Sequence, residues 1–374
     1  MTYRRGILRT VAHDSPGRIT KDDGPHRPVV RWNSRLYSIG GLTVLLLLVV
    51  VFAASVGSAE IPFATVWQIL LSKLSFLNVT ETWTRNDEII ILDTRLPRIV
   101  LAGLVGASLA VAGATYQGLF RNPLADPYLI GVSQGALLGA AIGMLLPLGW
   151  QGIAGFETVP FMAFAGALTT VTIVYAIART GKSLPVTTLI LAGVAIGAFM
   201  SSITSYLMIT SDDKLHGIIS WMLGRFSLSN WEQVLSVLPF MFIGTLIIWV
   251  HSRPLNVMQL DEDQAEHLGI KVEQVKIILL VCATLITAAA VSFCGTIGFV
   301  GIITPHAVRL IWGPDYRFLL PLSLLTGGIF LILADTLART IVQPSELPVG
   351  VITAFVGAPF FLYLLKMRKR GTFF

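Results

Sequence analysis

The chain carries few charges, since 13% of its 374 residues are Asp, Glu, Lys or Arg, whereas 54% are hydrophobic. A soluble domain has about 25% charged residues, so this composition excludes an ordinary soluble protein. Cysteine is also scarce. The two cysteines, Cys282 and Cys294, fall in or beside one apolar run, where they are best explained as packing residues. The sequence therefore predicts neither a disulfide framework nor a cysteine metal site.

Sequence patterns for catalysis are missing as well. The chain has no HExxH motif, no paired carboxylates in one apolar run and no Ser–His–Asp arrangement. The segment Ala176–Ser183 resembles a phosphate-binding loop, but Ala176 replaces its first glycine and an apolar run, not a strand, precedes it. We therefore predict that the chain is not an enzyme and has no catalytic residue, metal ligand or bound cofactor. The scarcity of acidic residues in the apolar runs argues against an ion-coupled carrier.

What the sequence does contain is a series of apolar runs. About 20 apolar residues cross a bilayer as a helix, so these runs predict an all-α polytopic membrane protein. We predict ten transmembrane helices, near 39–59, 97–120, 129–148, 161–178, 187–208, 234–250, 275–293, 297–311, 319–337 and 349–365. Residues 63–74 are predicted as an amphipathic surface helix. Residues 1–37 are polar and basic and are predicted to be a disordered tail, followed by one transmembrane domain over residues 38–370.

The distribution of positive charge predicts the orientation. Most of the 27 Lys and Arg residues fall in the tail, in alternate loops and at the C-terminal end, all on one side of a ten-helix topology. Because basic residues mark the cytoplasmic side, both termini are predicted to be cytoplasmic. The net charge of +6 then follows from the topology, and no nucleic-acid partner is needed to account for it.

The stretch Leu92–Gly139 is the most distinctive part of the chain. Arg95 and Arg98 precede an apolar run, and a polar bend with two prolines follows this run. The next run carries glycines at a strict spacing of four residues: Gly131, Gly135, Gly139 and Gly143. Residues four apart share a helix face, and glycine there lets another helix approach closely in a membrane. We therefore predict that the two runs form a tightly packed helical hairpin.

Three arginines on the predicted external side lie at helix ends: Arg95, Arg98 and Arg339. A single arginine at such a place is most simply an anchor whose charge reaches the membrane surface. Three together could instead form a basic surface for an acidic partner, because guanidinium binds carboxylate in a bidentate manner. Asp335 is expected to neutralise Arg339, which lies one helical turn further on.

The loop after the sixth predicted span contains the signature of a short helix, Asp261–Leu268. Asp261 is a suitable N-cap, and Gln264 completes a capping-box pattern. Acidic residues are favoured in the first turn, and Gly269 is placed to end the helix in a left-handed turn. Two interpretations remain open. The helix is either a solvated loop helix without a role or a projection that fits a groove on a cytoplasmic partner.

Five motifs give the chain a resemblance to one family. In order, they are RLPR, AGATYQGLFRNPLADPYLIGVSQGA, GTIGFVGIITPHAVRL, LAD and ELPVGVITAFVGAPFFLYLL, and they cover about residues 40–370. They resemble the permease subunits of bacterial importers for iron chelates, haem and vitamin B12, which are type II ATP-binding-cassette importers. The resemblance implies ten transmembrane helices, a permease dimer (a homodimer is expected), two cytoplasmic ATPase subunits that bind ATP and Mg²⁺, an external binding protein and the inner membrane.

The resemblance also implies roles for individual residues. The three arginines at the external helix ends would meet acidic residues of the binding protein. Residues that match the ATPase-docking loop are Asp261, Glu262, Gln264, Ala265, Leu268 and Gly269, and Thr187 and Thr188 would lie near a cytoplasmic gate. A ferric siderophore is the expected substrate from family frequency, with haem and cobalamin close behind. An ion-coupled secondary transporter is the alternative, and a membrane scaffold or sensor would need a signalling domain that the sequence does not show.

Overall fold

The computed structural model describes residues 32–57, 59, 61–73, 80–146, 157–181, 183–227 and 229–368, and these residues are mainly helical. The helices are α1 (Trp32–Ser55), α2 (Phe63–Ser72), α3 (Arg85–Ile89), α4 (Leu96–Leu119), α5 (Val132–Leu145), α6 (Thr158–Ala178), α7 (Val186–Thr210), α8 (Asp212–Met222), α9 (Trp231–Val250), α10 (Ser252–Met258), α11 (Glu262–His267), α12 (Val272–Cys294), α13 (Val300–Trp312), α14 (Tyr316–Ala338) and α15 (Val349–Arg368). A π-helical segment, Ile90–Arg95, leads into α4, and a 3-10 turn, Pro127–Ile130, precedes α5.

The all-α polytopic architecture is confirmed. Within the described ranges, seven helical stretches are long and apolar enough to cross a membrane: α1, the continuous stretch from α3 to α4, α6, α7, α9, α12 and α14. The remaining three predicted spans correspond to the shorter apolar helices α5, α13 and the described apolar part of α15. The total of ten transmembrane helices therefore stays a prediction. The predicted surface helix at residues 63–74 corresponds to α2.

Helix α4 lies at the centre of the helical bundle, and most of its side chains are buried. It packs along α14, α12 and α13. A Cβ atom added at Gly106 would lie 2.3 Å from the carbonyl oxygen of Gly327 on α14, and one at Gly113 would lie 1.9 Å from that of Gly301 on α13. Small residues let the backbones approach this closely, which explains why a run so rich in glycine and alanine occupies the centre.

The predicted pairing of α4 with α5 is wrong. Helix α5 packs along α6 and α7, whereas α4 packs against α14, α12 and α13. Between α4 and α5, Arg121 and Gly131 both adopt positive φ angles, and the chain leaves the axis of α4. The glycine row does mediate a close helix contact as predicted, but its partner is α6. A Cβ at Gly139 would lie 2.0 Å from the carbonyl oxygen of Met162.

This contact makes Gly139→Ala a direct test of the α5–α6 packing. The atoms nearest to the new methyl group are all backbone atoms of α6, which cannot move aside as a flexible side chain could. We therefore expect the substitution to destabilise the protein by at least the roughly 1–3 kcal/mol that overpacking costs. The matched control is Gly41→Ala on α1, where a Cβ would have no neighbour within 4 Å. Alanine is the better helix former, so the control should keep or slightly raise the melting temperature in detergent. Equal melting temperatures for the two variants would contradict the close packing of α5 against α6 at Gly139.

The predicted boundary of the disordered tail at residue 37 falls inside α1, which begins at Trp32. The Trp32 ring packs edge-on against Phe318 at the start of α14, with 4.5 Å between the ring centroids. This contact comes from a distant part of the chain, so local composition could not reveal it. Residues 1–31 of the predicted tail lie outside the described residues.

Candidate functional sites at the two ends of α4

Two groups of charged side chains lie at opposite ends of α4. The first, named the arginine cluster here, consists of Arg95, Arg98, Asp335, Arg339 and Glu346. The second, named the α11 cluster, consists of Arg121, Asp261, Glu262, Glu273 and Lys276. Helix α4 has 24 residues and is therefore about 36 Å long, the order of a membrane thickness. The two clusters are thus separated by the length of one transmembrane helix.

Arg98 is the centre of the arginine cluster because it binds two carboxylates. Its Nη2 donates to Asp335 at 2.8 Å and its Nη1 donates to Glu346 at 2.8 Å. The side chain of Asp335 is 2% exposed, whereas that of Glu346 is 41% exposed. Arg339 lies 3.9 Å from Asp335, so the expected pair is present but is looser than the pair with Arg98. One side of Arg98 is therefore fixed by a buried anion, and the other is bound by an anion that water reaches.

The other two arginines of the cluster bind main-chain carbonyl groups near the end of α1. Arg95 donates to the oxygens of Ala54 and Ala59, at 2.6 Å each, and Arg339 donates to the oxygen of Ala53. Both residues are buried, at 6% and 8% exposure. Cations stabilise the C-terminal end of a helix, where carbonyl groups lack intrahelical partners. Arg95 and Arg339 are thus neither surface anchors nor part of an exposed basic surface in this structure, because the end of α1 covers them.

A cavity of about 320 Å³ opens beside Arg98. Charged or hydroxyl-bearing residues in its wall are Arg98, Ser220, Arg225, Ser227, Asp335 and Glu346. Arg225 is exposed, and it makes no ion pair with any residue that the structure describes. The lining of this cavity therefore combines the partly exposed carboxylate of Glu346 with an additional guanidinium group, that of Arg225.

At the other end of α4, the predicted short helix is present as α11, Glu262–His267. Asp261 is its N-cap, but the carboxylate accepts from the backbone N–H of Glu262, at 2.7 Å, rather than from that of Gln264. The predicted capping box is therefore wrong. The Asp261 carboxylate also lies 3.5 Å from the guanidinium group of Arg121. The left-handed end is confirmed, with a φ of 83° at Gly269.

Helix α11 has one buried side and one exposed side. Ala265 is fully buried, and its carbonyl oxygen accepts from the N–H of Ile270 at 3.0 Å, which closes the turn that follows the helix. Gln264 is exposed, and Leu268 is an apolar residue that is 67% exposed. A rigid short helix that presents acidic, amide and leucine side chains to solvent can fit a groove on another protein.

The α11 cluster ties this helix to two others. Lys276 on α12 donates to Glu262 at 2.6 Å and to Glu273 at 3.1 Å. Glu273 in turn accepts from the backbone N–H of Leu184, at 2.9 Å, just before α7 begins. Thr187 and Thr188, the predicted gate residues, are exposed in the first turn of α7. The structure therefore brings the start of α7 and the short helix to the same end of the bundle.

Asp315 ties α10, the helix before α11, to the start of α14. Asn256 donates to it at 2.8 Å and the Arg317 guanidinium donates at 2.7 Å. Burial by itself raises the pKa of Asp315, but these hydrogen bonds outweigh burial and hold the pKa at about 2. A pKa below the usual value of about 3.9 means that the ionised contact stabilises the fold at neutral pH. This stability is lost only as the pH falls from about 4 towards 2, so the contacts of Asp315 with Asn256 and Arg317 are intact near pH 7.

Several residues of these sites were not predicted from the sequence: Arg121, Arg225, Glu273, Lys276 and Glu346. The three basic residues among them, Arg121, Arg225 and Lys276, contribute to the sequence analysis only through the charge distribution that predicts the orientation. One signal was present, because Glu273 and Lys276 are three residues apart and face each other on a helix. No sequence signal connects Glu346 with Arg98, which lie 248 residues apart.

The chain matches the FecCD transport family over residues 45–367. It is 45% identical to the cobalamin import system permease protein of Halobacterium salinarum, over 85% of this chain and 83% of that protein. It is 38% identical to the hemin transport system permease protein of Yersinia pestis, over 89% and 96% of the two chains.

A solved structure with the same fold is described as an inward-facing conformation of a metal-chelate type ABC transporter. The TM-score is 0.76 at 29% sequence identity, with 89% of this chain and 99% of that chain covered. The match to the family extends from within α1 to the last turn of α15, so it includes both charged clusters. This chain belongs to the FecCD transport family of ABC permeases, which span the membrane several times.

Proposed function

We propose that this chain is the membrane-spanning permease of an ATP-driven importer that moves a metal chelate from an external binding protein into the cytoplasm. Two copies form the pathway in the bacterial inner membrane, with both termini of each copy in the cytoplasm. Two ATPase subunits bind ATP and Mg²⁺, and this chain hydrolyses nothing itself. The family match and the relatives named as cobalamin and hemin permeases support the proposal.

The observation that carries the proposal is the form of α11. A solvated loop helix without a role needs no buried attachment, yet α11 is fixed by the buried Ala265 and by an ion pair with Lys276, a side chain that is 3% exposed. At the same time, Leu268 leaves its apolar surface in water, although such surface is normally buried. A helix that is attached on its buried side and exposes Leu268 beside charged and amide side chains is suited to receive force from a cytoplasmic ATPase.

In this mechanism, movement of the ATPase subunits displaces α11, and the helices tied to it move as rigid elements. Switching between outward-open and inward-open packings requires discrete arrangements of such elements. The glycine contacts of α4 and α5 support this step, because backbones that touch directly have few long side chains to rearrange. The pathway is expected to bind the chelate only weakly, because the external protein supplies the specificity.

At the opposite end, Arg98 makes the direct contact with an acidic residue of the binding protein. Its second partner is Glu346, whose side chain is 41% exposed. Another anion can therefore take the place of the Glu346 carboxylate. Arg95 and Arg339 support docking indirectly, since they hold the end of α1 beside Arg98. Arg225 contributes further positive charge across the cavity.

Reconstitution in vesicles tests the proposed function. Permease, ATPase and binding protein together should take up a chelate only when ATP is present. Ferric siderophore, haem and cobalamin are supplied separately, each after measuring its affinity for the binding protein, and a ferric siderophore is the expected substrate. Omission of the ATPase should abolish uptake. Uptake that persists without the ATPase and follows an ion gradient would instead establish the ion-coupled secondary transporter.

Glu346→Gln tests the docking contact. The substitution removes the charge that competes with the binding protein for Arg98, so we expect docking to become tighter. The gain should be within about fivefold, because an exposed ion pair is worth roughly 0–1 kcal/mol. The measurement is the affinity of the binding protein for the permease in nanodiscs. Glu81→Gln, at an exposed position before α3, is the matched control and should not alter the affinity. Unchanged or weaker docking by Glu346→Gln would show that Glu346 does not compete with the binding protein for Arg98.

A further inference from the structure

Lys276 occupies an unusual place for a lysine near a helix end. It lies in the second turn of α12, and its side chain is 3% exposed. A lysine that only anchors a helix at the membrane surface extends its ammonium group into water. Here the Nζ atom instead lies between two carboxylates, 2.6 Å from Glu262 and 3.1 Å from Glu273. The ammonium group is therefore a junction between α11 and α12.

The junction continues from α12 to α7 through Glu273. One oxygen of this carboxylate, Oε1, binds Lys276, and the other, Oε2, accepts from the backbone N–H of Leu184 at 2.9 Å. Leu184 is 2% exposed, and Thr180 and Ser183 form a bridge just before it. Helix α7 begins at Val186, so little chain separates this hydrogen bond from the first turn. A displacement of Glu273 would therefore be passed directly to the start of α7.

The other charged contacts of α11 are weaker. Arg121 lies 3.5 Å from Asp261 and 3.8 Å from Glu262, and all three side chains are more than a third exposed. Exposed pairs at such distances contribute little. In the pair with Lys276 the Glu262 side chain is likewise 38% exposed, but the lysine side chain is 3% exposed and the two groups are only 2.6 Å apart. Separating this pair would leave a buried ammonium group with less compensation, so among the ion pairs of α11 it is the one that most resists separation when α11 moves.

We propose that Lys276 is a positioning residue that transmits the movement of α11 through Glu273 to the first turn of α7. The first turn of α7 carries Thr187 and Thr188, the predicted gate residues. This inference rests on the proposed function, in which an ATPase displaces α11. It adds a specific route. The Lys276 ammonium group, the bridging Glu273 carboxylate and the backbone N–H of Leu184 connect the displaced helix to the gate.

The test uses the complete complex in vesicles and compares Lys276→Met with Lys271→Met. Methionine keeps the length of the side chain and removes its charge. Lys271 is exposed, next to the start of α12, and makes no ion pair with a described residue. We expect Lys276→Met to lower the number of chelates imported per ATP hydrolysed by about tenfold, which is in the usual range of coupling between two sites. Lys271→Met should keep the wild-type ratio.

A purely structural role of Lys276 would lower the amount of folded complex without changing this ratio. Lys276→Arg should restore most of the ratio, because guanidinium can bind both carboxylates. In addition, the thiol of a Thr187→Cys variant should change its reactivity with a thiol reagent upon ATP binding, and this change should disappear when Lys276→Met is added. If the Lys276→Met complex does not assemble, the same measurements on Glu273→Gln test the proposal. That substitution removes the charge of the carboxylate that connects Lys276 with Leu184.

An unchanged import ratio in an assembled Lys276→Met or Glu273→Gln complex overturns the inference. The proposed function is judged separately, by replacement of the whole short helix with a linker. Loss of coupling in the linker variant together with normal coupling in Lys276→Met would refute the route alone. Normal coupling in both would refute the role of α11 itself.

Discussion

Asp335→Ala is expected to lower the free energy of unfolding by about 3–5 kcal/mol, the usual cost of removing one partner from a buried ion pair. Asp335 is 1% exposed and binds the Arg98 guanidinium in a bidentate manner. Arg339 lies 3.9 Å away, so the loss of the carboxylate leaves two guanidinium groups close together with less compensation. The substitution should therefore reduce the yield and the melting temperature of the permease before it affects any partner.

The matched control is Glu346→Ala, because Glu346 binds the same guanidinium group from the exposed side. An exposed pair contributes roughly 0–1 kcal/mol, so this variant should unfold close to the wild-type temperature. Thermal unfolding in detergent measures both variants. A double replacement, Arg98→Met with Asp335→Leu, should recover part of the loss, because apolar residues of similar volume can replace a buried pair. Similar melting temperatures for Asp335→Ala and Glu346→Ala would show that burial of the carboxylate does not determine how much stability its removal costs.

Replacing residues 261–268 with a Gly/Ser linker of equal length is expected to abolish ATP-driven uptake. The linker removes the N-cap and the buried Ala265, so no rigid body remains that could receive force from the ATPase. Stimulation of ATP hydrolysis by the loaded binding protein should also be lost. The effect should be at the upper end of allosteric coupling, on the order of 100-fold. Both rates are measured on the same vesicles.

Lys271→Met is the control for this replacement. Lys271 is exposed, lies outside the replaced segment just before α12, and forms no ion pair with a residue in the described ranges. The substitution leaves α11 and its attachment through Ala265 intact, so uptake should persist. If stimulated hydrolysis and uptake survived the linker, α11 would be a loop helix without a role, which is the other interpretation that the sequence left open.

Local features of the sequence were sufficient for much of the fold. Each apolar run became a helix, because a backbone without water must satisfy its hydrogen bonds internally. The N-cap Asp261 and the left-handed Gly269 set the limits of α11 through bonds within a few residues. The glycine spacing on α5 correctly predicted a face for close packing. It could not name the partner, because a face of small residues fits any helix with a similar face.

The sequence by itself determined the positions of the helices, the short capped helix and the family motifs, because these depend on hydrophobicity and on contacts between near neighbours. Only the tertiary structure decided what the charged residues do. Arg98 meets Asp335 across 237 residues, and Lys276 reaches Glu262 only because α11 folds back against α12. The physical reason is that a charge buried in a membrane protein must find a counter-charge or free carbonyl groups among the helices packed around it, and helix packing is a property of the whole bundle.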